Sequence, residues 1–320
     1  MSQQRALRAV SHSVVVHQAE RGDRSSIGLL GDVSIEAYAA GTIKAHEETM
    51  AGNTQKMVGY MLLTRIFGNP VVLAHRPNPA ITARLRSHLQ LSPDVDFEDL
   101  GGTRHQLWIV AGQAAQDLAA LIVGDLYIAD GHHRLEAARA LAQAEGRSDA
   151  WFPAGLYAED QFDVWSFARG VREAPLNGEA LIARLHDSFD LVEVDDAIPR
   201  PSVAGTIGTR IAGRSFILTI PADRLTGDVR DRLDVSALQK LILEPLFGID
   251  DPRRDKRLEA IADGAGVVHD PDQYDAWFLP YPTPIGTVMD VADSQRTMPP
   301  KSTYFLPKLP GGLITRPLDE

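Results

Sequence analysis

Hydrophobic and polar positions follow one another in short segments that predict both strands and helices. Two apolar runs near the N-terminus predict strands, at residues 12–17 (HSVVVH) and 27–35 (IGLLGDVSI). Apolar positions recur at helical spacing over residues 46–66, which predicts a helix. Residues 126–129 read as a buried strand, and the Ala-, Leu-, Arg- and Glu-rich stretch 133–144 predicts a helix directly after it. This mixture indicates an α/β or α+β protein.

The same mixture continues towards Gly146, with strands predicted at 71–74 and 106–110 and helices at 79–89 and 113–123. After a turn-rich stretch around Gly146, residues 151–158 begin a second group of elements, in which a strand is predicted at 216–220 and helices at 181–189 and 235–246. Asp234 precedes the last of these helices as a plausible N-cap. We therefore predict two domains, residues 1–148 and 149–320, with the tail of the second returning to the active site.

Composition and charge narrow the classes of function. The 320 residues carry a net charge of −11 and no cysteine. Without cysteine there is no disulfide scaffold, no thiolate zinc site and no Cys nucleophile. The acidic balance argues against general nucleic-acid binding, and no window approaches the roughly 18 apolar residues of a membrane span. We expect a cytoplasmic protein with neither nucleic acid nor membrane as a partner; a homodimer is compatible with these features.

The most informative stretch is LYIADGHHRLEA, at residues 126–137. A glycine at a strand-to-helix turn lets a phosphate approach backbone N–H groups at the positive end of a helix dipole. Gly131, His132, His133 and Arg134 are therefore candidate phosphate ligands, and Asp130 is a candidate ligand for Mg²⁺. The alternative is purely structural, because Asp-Gly is a common turn and Asp a common helix cap.

This stretch resembles the G-x-[HR]-R-x-x-A box of the ParB/sulfiredoxin-like superfamily. Within that superfamily, ADGHHR resembles the bacterial domain-of-unknown-function family ten-fifteen and the related free L-serine kinases. The resemblance implies a ParB/sulfiredoxin-like N-terminal domain that binds nucleotide phosphates, followed by a mixed α/β part. Sulfiredoxin chemistry is excluded, because it requires a cysteine that this chain lacks. The acidic balance disfavours the DNA-binding branch represented by ParB.

A second motif lies in GTIKAHEETM, at residues 41–50. His46-Glu47 resembles the His-Glu pair of the serine kinases, in which the Glu is taken as the general base on the substrate hydroxyl. Thr49 matches the HExT pattern of the uncharacterised family. A hydroxyl with a high pKa needs such a carboxylate to accept its proton during phosphoryl transfer. The structural alternative is a helix start with two acidic residues favouring the dipole. Two pairs depart from the family pattern, which continues with Pro-Lys and Asp-Arg: Asn53-Thr54 and Lys56-Met57.

Three C-terminal segments extend the resemblance to the end of the chain. They are 232–255 (RLDVSALQKLILEPLFGIDDPRRD), VAD at 291–293 followed by MPPKST at 298–303, and FLPKLPGGL at 305–313. Lys301, Ser302 and Thr303 resemble the Pro-Lys-Thr-Thr of the serine kinases, and they are candidate ligands for a phosphate or a substrate carboxylate. Their alternative is a rigid exposed loop. We assign Lys308 to a structural or solvent-facing role.

Together the motifs and their resemblance to the serine kinases imply a Mg²⁺-dependent kinase that transfers a phosphoryl group from ATP or ADP to free L-serine or a serine-like molecule, with serine implied by the resemblance alone. Glu47, His46 and Asp130 are the predicted catalytic residues, with Glu47 as general base. The product would feed amino-acid biosynthesis. The alternative is a ParB-like regulatory module that binds a nucleotide and a partner without kinase activity.

Overall fold

The structure is a computed structural model, and it describes residues 9–147, 149–264 and 270–318. Its strands, numbered in chain order, are β1 (Ser13–Arg21), β2 (Arg24–Ser34), β3 (Ile43–Lys44), β4 (Ile66–Phe67), β5 (Val71–His75), β6 (Val95–Glu98), β7 (Arg104–Ala111), β8 (Leu126–Asp130), β9 (Trp151–Ala158), β10 (Asp163–Trp165), β11 (Phe167–Val171), β12 (Asp190–Val194), β13 (Thr206–Ile211), β14 (Arg214–Thr219), β15 (Leu258–Ala262), β16 (Ala276–Pro280), β17 (Tyr304–Leu306) and β18 (Arg316–Pro317). The α-helices are α1 (Ile35–Ala39), α2 (Ala51–Thr64), α3 (Pro79–His88), α4 (Gln113–Ala119), α5 (His132–Ala144), α6 (Gly178–His186), α7 (Asp234–Leu238), α8 (Glu244–Phe247) and α9 (Ile285–Asp293). The fold is of the mixed α/β (α+β) class, as predicted. Of the helices in the described ranges, none combines the length and apolar character needed to cross a bilayer.

The helix predicted over residues 46–66 begins only at Ala51, so the start of that prediction is wrong. Met50 is the N-cap, with an extended backbone and no side-chain cap. The carbonyl of His46 accepts a hydrogen bond from the Met298 amide at 2.7 Å, which ties this segment to a distant part of the chain. This long-range hydrogen bond takes the place of the one that a helix would form to the His46 carbonyl.

The described residues fall into two compact units. The first contains the described residues up to Ala45, Thr49–Phe162, and the chain from Pro307 onward. Its sheet has the order β3-β8-β5-β9-β2-β1-β7-β6, in which β3–β8 and β5–β9 are parallel and the other pairs antiparallel. Strand β9, which the sequence pattern grouped with the C-terminal elements, lies inside this sheet because it pairs with β5 and β2.

Helix α5 is fixed to this sheet by an apolar face. Leu135 and Leu141 are buried in a core that also contains Ile128 of β8 and Leu73 of β5. Fully burying such a side chain contributes about 1.5–3 kcal/mol. Ala137, Ala138 and Ala142 of the helix are similarly buried, which allows close packing on the sheet. The start of α5 is therefore held at the end of β8.

The last described residues complete the first unit. Strand β18 pairs antiparallel with β4, with Arg316 opposite Phe67. Leu318 is buried in the same core as α5, and its amide donates to the Arg65 carbonyl at 3.0 Å. The segment between β17 and β18 is thereby brought into the first unit.

The second unit contains His46–Glu48 and Asp163–Leu306. Its main sheet is antiparallel in the order β12-β14-β13-β16-β11-β15. Helices α6, α7 and α8 share one apolar core with this sheet. Between α7 and α8 the backbone forms π-helical turns over residues 239–243. Pro245 lies two residues after this segment, and it has no amide hydrogen to donate to the preceding turn.

Asp234 does not cap a helix as predicted. Leu233 is the N-cap of α7, and Asp234 is the first helical residue. The Asp234 carboxylate instead accepts the amide hydrogen of Gly205 at 2.9 and 3.0 Å. The Gly205 amide, from outside the helix, thus takes the place of the local capping bond. Burial raises the pKa of Asp234 to about 6.

Candidate functional site

The turn between β8 and α5 has the geometry of an anion site. Gly131 is the N-cap, with φ 104° and ψ 25°, a left-handed conformation that favours glycine. Because glycine has no side chain, it provides no cap for the amides of the first helical turn. The positive end of the 13-residue helix α5 lies at this turn, and it favours an anion there.

Two cations hold the Asp130 carboxylate at this turn. Lys308 Nζ donates to Oδ1 at 2.7 Å, and the Arg134 guanidinium donates to Oδ2. Burial by itself raises the pKa of Asp130, but the charges of Lys308 and Arg134 outweigh that effect and hold the pKa below its usual range. Asp130 is therefore ionised at neutral pH, and each of its oxygens has a cationic partner.

This arrangement does not fit the assignment of Asp130 as a Mg²⁺ ligand. A metal ion would have to displace Lys308 or Arg134 from the carboxylate, and Mg²⁺ usually takes one or two carboxylates that face it directly.

The Arg134 side chain folds back over the turn. Its Nη1 donates to the Pro70 carbonyl, and its Nη2 to Asp130. A Cβ added at Gly131 would lie 3.0 Å from Arg134 Nε and Nη2. Arg134 thus has a structural role, in which the guanidinium covers the glycine and fixes the turn, and its contact with a phosphate stays a prediction.

The two histidines of the box differ in their surroundings. His132 is buried, with 7% of its surface exposed, and His133 is half-buried. The Nδ1 atom of His133 is shielded from solvent and has no hydrogen-bond partner among the described residues. Such an atom gains a hydrogen bond when a polar ligand enters. His133 is therefore a candidate ligand contact of the box.

The predicted residues of the second motif divide between the units. His46 and Glu48 contact the C-terminal half: the His46 ring lies edge-on to Phe305, with centroids 5.9 Å apart, and Glu48 pairs with Arg253 at 3.2 Å. Glu47, which lies between them in the sequence, is half-buried. Thr49 belongs to the first unit and is half-buried just before α2.

The Lys301–Thr303 loop lies in the second unit. Lys301 has φ 56°, and its exposed ammonium lies 5.5 Å from the centroid of the Phe167 ring. Ser302 is buried, and its hydroxyl donates to the Pro299 carbonyl at 2.5 Å. Thr303 is half-buried. The hydroxyl proton of Ser302 is therefore used inside the loop, which leaves its oxygen lone pairs for a ligand.

Lys308 is the residue of the turn that sequence reasoning missed. Its ion pair with Asp130 agrees with the structural role that the sequence analysis gives it, but the sequence does not predict its place at this turn. The signal was present, since Lys308 lies between two prolines in a segment that resembles the family pattern F-x-PK-L. Nothing in the local sequence connects that segment to β8.

The chain is similar to a known protein family. Residues 2–236 match the family described as "Protein of unknown function (DUF1015)". The segments at 298–303 and 305–313 lie beyond the matched residues. No curated protein matches the chain.

Solved structures with a similar backbone include the following three. SbnI with a C-terminal truncation, from Staphylococcus aureus, has 11% sequence identity and a TM-score of 0.46, covering 88% of this chain and 85% of its own. A free serine kinase variant in complex with ADP has 16% identity and a TM-score of 0.43, covering 90% and 91%. A conserved hypothetical protein from Pyrococcus furiosus has 16% identity and a TM-score of 0.42, covering 91% and 96%. At these identities the likeness concerns the backbone alone.

Proposed function

This chain belongs to the DUF1015 family, and we propose that it is a kinase for the hydroxyl of free L-serine or a serine-like small molecule. ATP or ADP is the proposed donor. The observation that carries the proposal is the start of α5, where uncapped helix amides lie beside the ionic group formed by Asp130, Arg134 and Lys308. A helix N-terminus with neighbouring cations is suited to binding the phosphates of a nucleotide.

The donor phosphates are proposed to bind at this turn. The amides that follow Gly131 donate to phosphate oxygens, and His133 Nδ1 supplies a further hydrogen bond. Lys308 and Arg134 carry two positive charges against the one negative charge of Asp130, so the group keeps a net charge of about +1. That charge stabilises the negative charge that accumulates on the leaving oxygen.

The acceptor chemistry is assigned to the second motif. The acceptor hydroxyl oxygen forms a bond to the terminal phosphorus of the nucleotide, the bond from that phosphorus to the bridging oxygen breaks, and Glu47 takes the hydroxyl proton. Glu47 is the proposed base because it matches the Glu of the His-Glu pair, whereas the neighbouring Glu48 pairs with Arg253. His46 and Thr49 flank the base, and the loop of Lys301, Ser302 and Thr303 is proposed to bind the acceptor.

A mass-spectrometric screen tests the proposal. Purified protein with Mg²⁺, ATP or ADP, and a panel of serine, threonine and homoserine is assayed for the gain of one phosphate. We expect Glu47→Gln to lower turnover at least 100-fold while the nucleotide Kd changes less than twofold, because a base acts on the acceptor and not on donor binding. Glu48→Gln is the matched control, one residue away, and it should retain turnover.

Two results would contradict the kinase. No phosphorylated product with any acceptor would reject it, and unchanged turnover in Glu47→Gln would reject the assignment of the base. Nucleotide binding without any transfer would instead favour the regulatory module.

A further inference from the structure

A guanidinium group is buried in the second unit beside the loop that carries Lys301. Arg169, on β11, is 3% exposed. Its Nη2 donates to the carbonyl oxygens of Pro300 and Lys301, at 3.0 Å each, and its Nη1 donates to two carbonyls of its own strand. Among the residues that the structure describes, no carboxylate forms an ion pair with it. Burial lowers its pKa to about 10, so the group remains charged at neutral pH.

Two features of this region are energetically unfavourable, and both involve the same loop. A buried cation without a carboxylate loses hydration that carbonyl dipoles replace only in part. Lys301 has φ 56°, in the left-handed region where a residue with a Cβ is strained. Such conformations persist where surrounding contacts determine them, and they are concentrated at ligand-binding sites.

Arg169 supplies those contacts. The Pro300 carbonyl belongs to the peptide group before the Lys301 Cα, and the Lys301 carbonyl belongs to the one after it. One nitrogen of Arg169 therefore holds both peptide planes on either side of that Cα. Because the two planes define φ and ψ, the guanidinium keeps the backbone of Lys301 in its strained conformation.

We propose that Arg169 is a positioning residue that presents Lys301 for the carboxylate of the acceptor amino acid. This inference rests on the proposed function. Lys301 carries an exposed ammonium that lies over the face of Phe167, at a separation compatible with a cation–π contact. The fixed backbone and this ring contact restrict the ammonium to one region. A restricted cation binds a carboxylate with a smaller loss of side-chain entropy.

Steady-state kinetics and limited trypsin digestion test the inference together. In Arg169→Met we expect the acceptor KM to rise at least tenfold, with the nucleotide Kd within twofold of the wild-type value. Trypsin cleavage after Lys301, followed by mass spectrometry, should become at least fivefold faster, with the other cleavage sites unchanged. Arg169→Lys should give intermediate values, since it restores the charge without the planar fork. Arg172→Lys is the matched control, because that neighbouring arginine is partly exposed in a surface ion pair, and it should change neither quantity.

A second variant covers the case in which Arg169→Met fails to fold. Lys301→Gly removes the strain and the ammonium together, so we expect a higher Tm and an acceptor KM raised at least tenfold. A lower Tm, or an unchanged acceptor KM, would overturn the inference. So would unchanged KM and unchanged cleavage in folded Arg169→Met. If the wild-type protein transfers no phosphate, the proposed function fails, and cleavage after Lys301 alone decides whether Arg169 holds the loop.

Discussion

Removing the cation of Lys308 gives a direct test of the turn at β8. In Lys308→Met the side chain keeps most of its length, and Asp130 loses the partner at 2.7 Å while Arg134 remains. A hydrogen bond to a charged group contributes about 1.5–3 kcal/mol when buried, and an exposed ion pair about 0.2–1 kcal/mol. Both side chains here are about one-third exposed, at 35% and 32%. We therefore expect a loss of about 1 kcal/mol in the free energy of unfolding.

The pH dependence follows from the pKa of Asp130. Lys308 and Arg134 hold that pKa below its usual range in the folded protein. A carboxyl with a depressed native pKa stabilises the fold above its unfolded pKa of about 3.9, and this contribution is lost as the pH falls through the native value. Urea unfolding of the wild type and of Lys308→Met should therefore differ fully at pH 7, and the difference should shrink below about pH 4.

Two controls make the measurement specific. Lys256→Met replaces an exposed lysine and should leave stability within about 0.5 kcal/mol of the wild type. In the background of Asp130→Asn, Lys308→Met should cost much less than it does alone, because the ionic partner is gone. A loss of equal size at pH 7 and pH 3 would refute the reasoning, since it would come from packing and not from the ion pair.

Two further substitutions test other features. Gly131→Ala should lower the free energy of unfolding by about 1–2 kcal/mol and the nucleotide affinity at least tenfold, because a Cβ at φ 104° is strained and meets the Arg134 guanidinium. Urea unfolding measures the first effect and calorimetric titration the second. Wild-type values for both would refute the assignment of the turn. Asp234 has its pKa raised to about 6, so the wild-type fold loses stability between about pH 4 and pH 6 as this buried carboxyl ionises. Asp234→Asn should remove that loss, on the order of 2 kcal/mol, and equal pH profiles for the two proteins would count against it.

Local signals in the sequence predicted the start of α5 but not the groups that surround it. The apolar strand, the Asp130-Gly131 turn and the alanine-rich helix are encoded within some 20 residues, so periodicity and turn chemistry are sufficient. Lys308 reaches this turn only because the chain returns after β17. A contact between distant segments produces no periodic pattern of apolar residues in the sequence of either segment.

Long-range hydrogen bonds also explain the errors in helix boundaries. The sequence around His46 satisfies helical spacing, but its carbonyl is taken by Met298. Asp234 has the residue type of an N-cap, but its carboxylate accepts the Gly205 amide. Arg169 gave no sequence signal at all, because an isolated arginine in an apolar strand does not reveal which carbonyls it will meet.

The return of the chain to the first unit has a consequence for synthesis. Strand β18 pairs with β4, some 250 residues earlier. At translation rates of about 5–20 residues per second, that interval lasts on the order of 10 to 50 seconds. Throughout it, a nascent chain has β4 without its strand partner, and for most of it Asp130 has been made without Lys308. Stalled or prematurely terminated chains would thus expose Phe67 and the core position of Leu318 to chaperones and proteases.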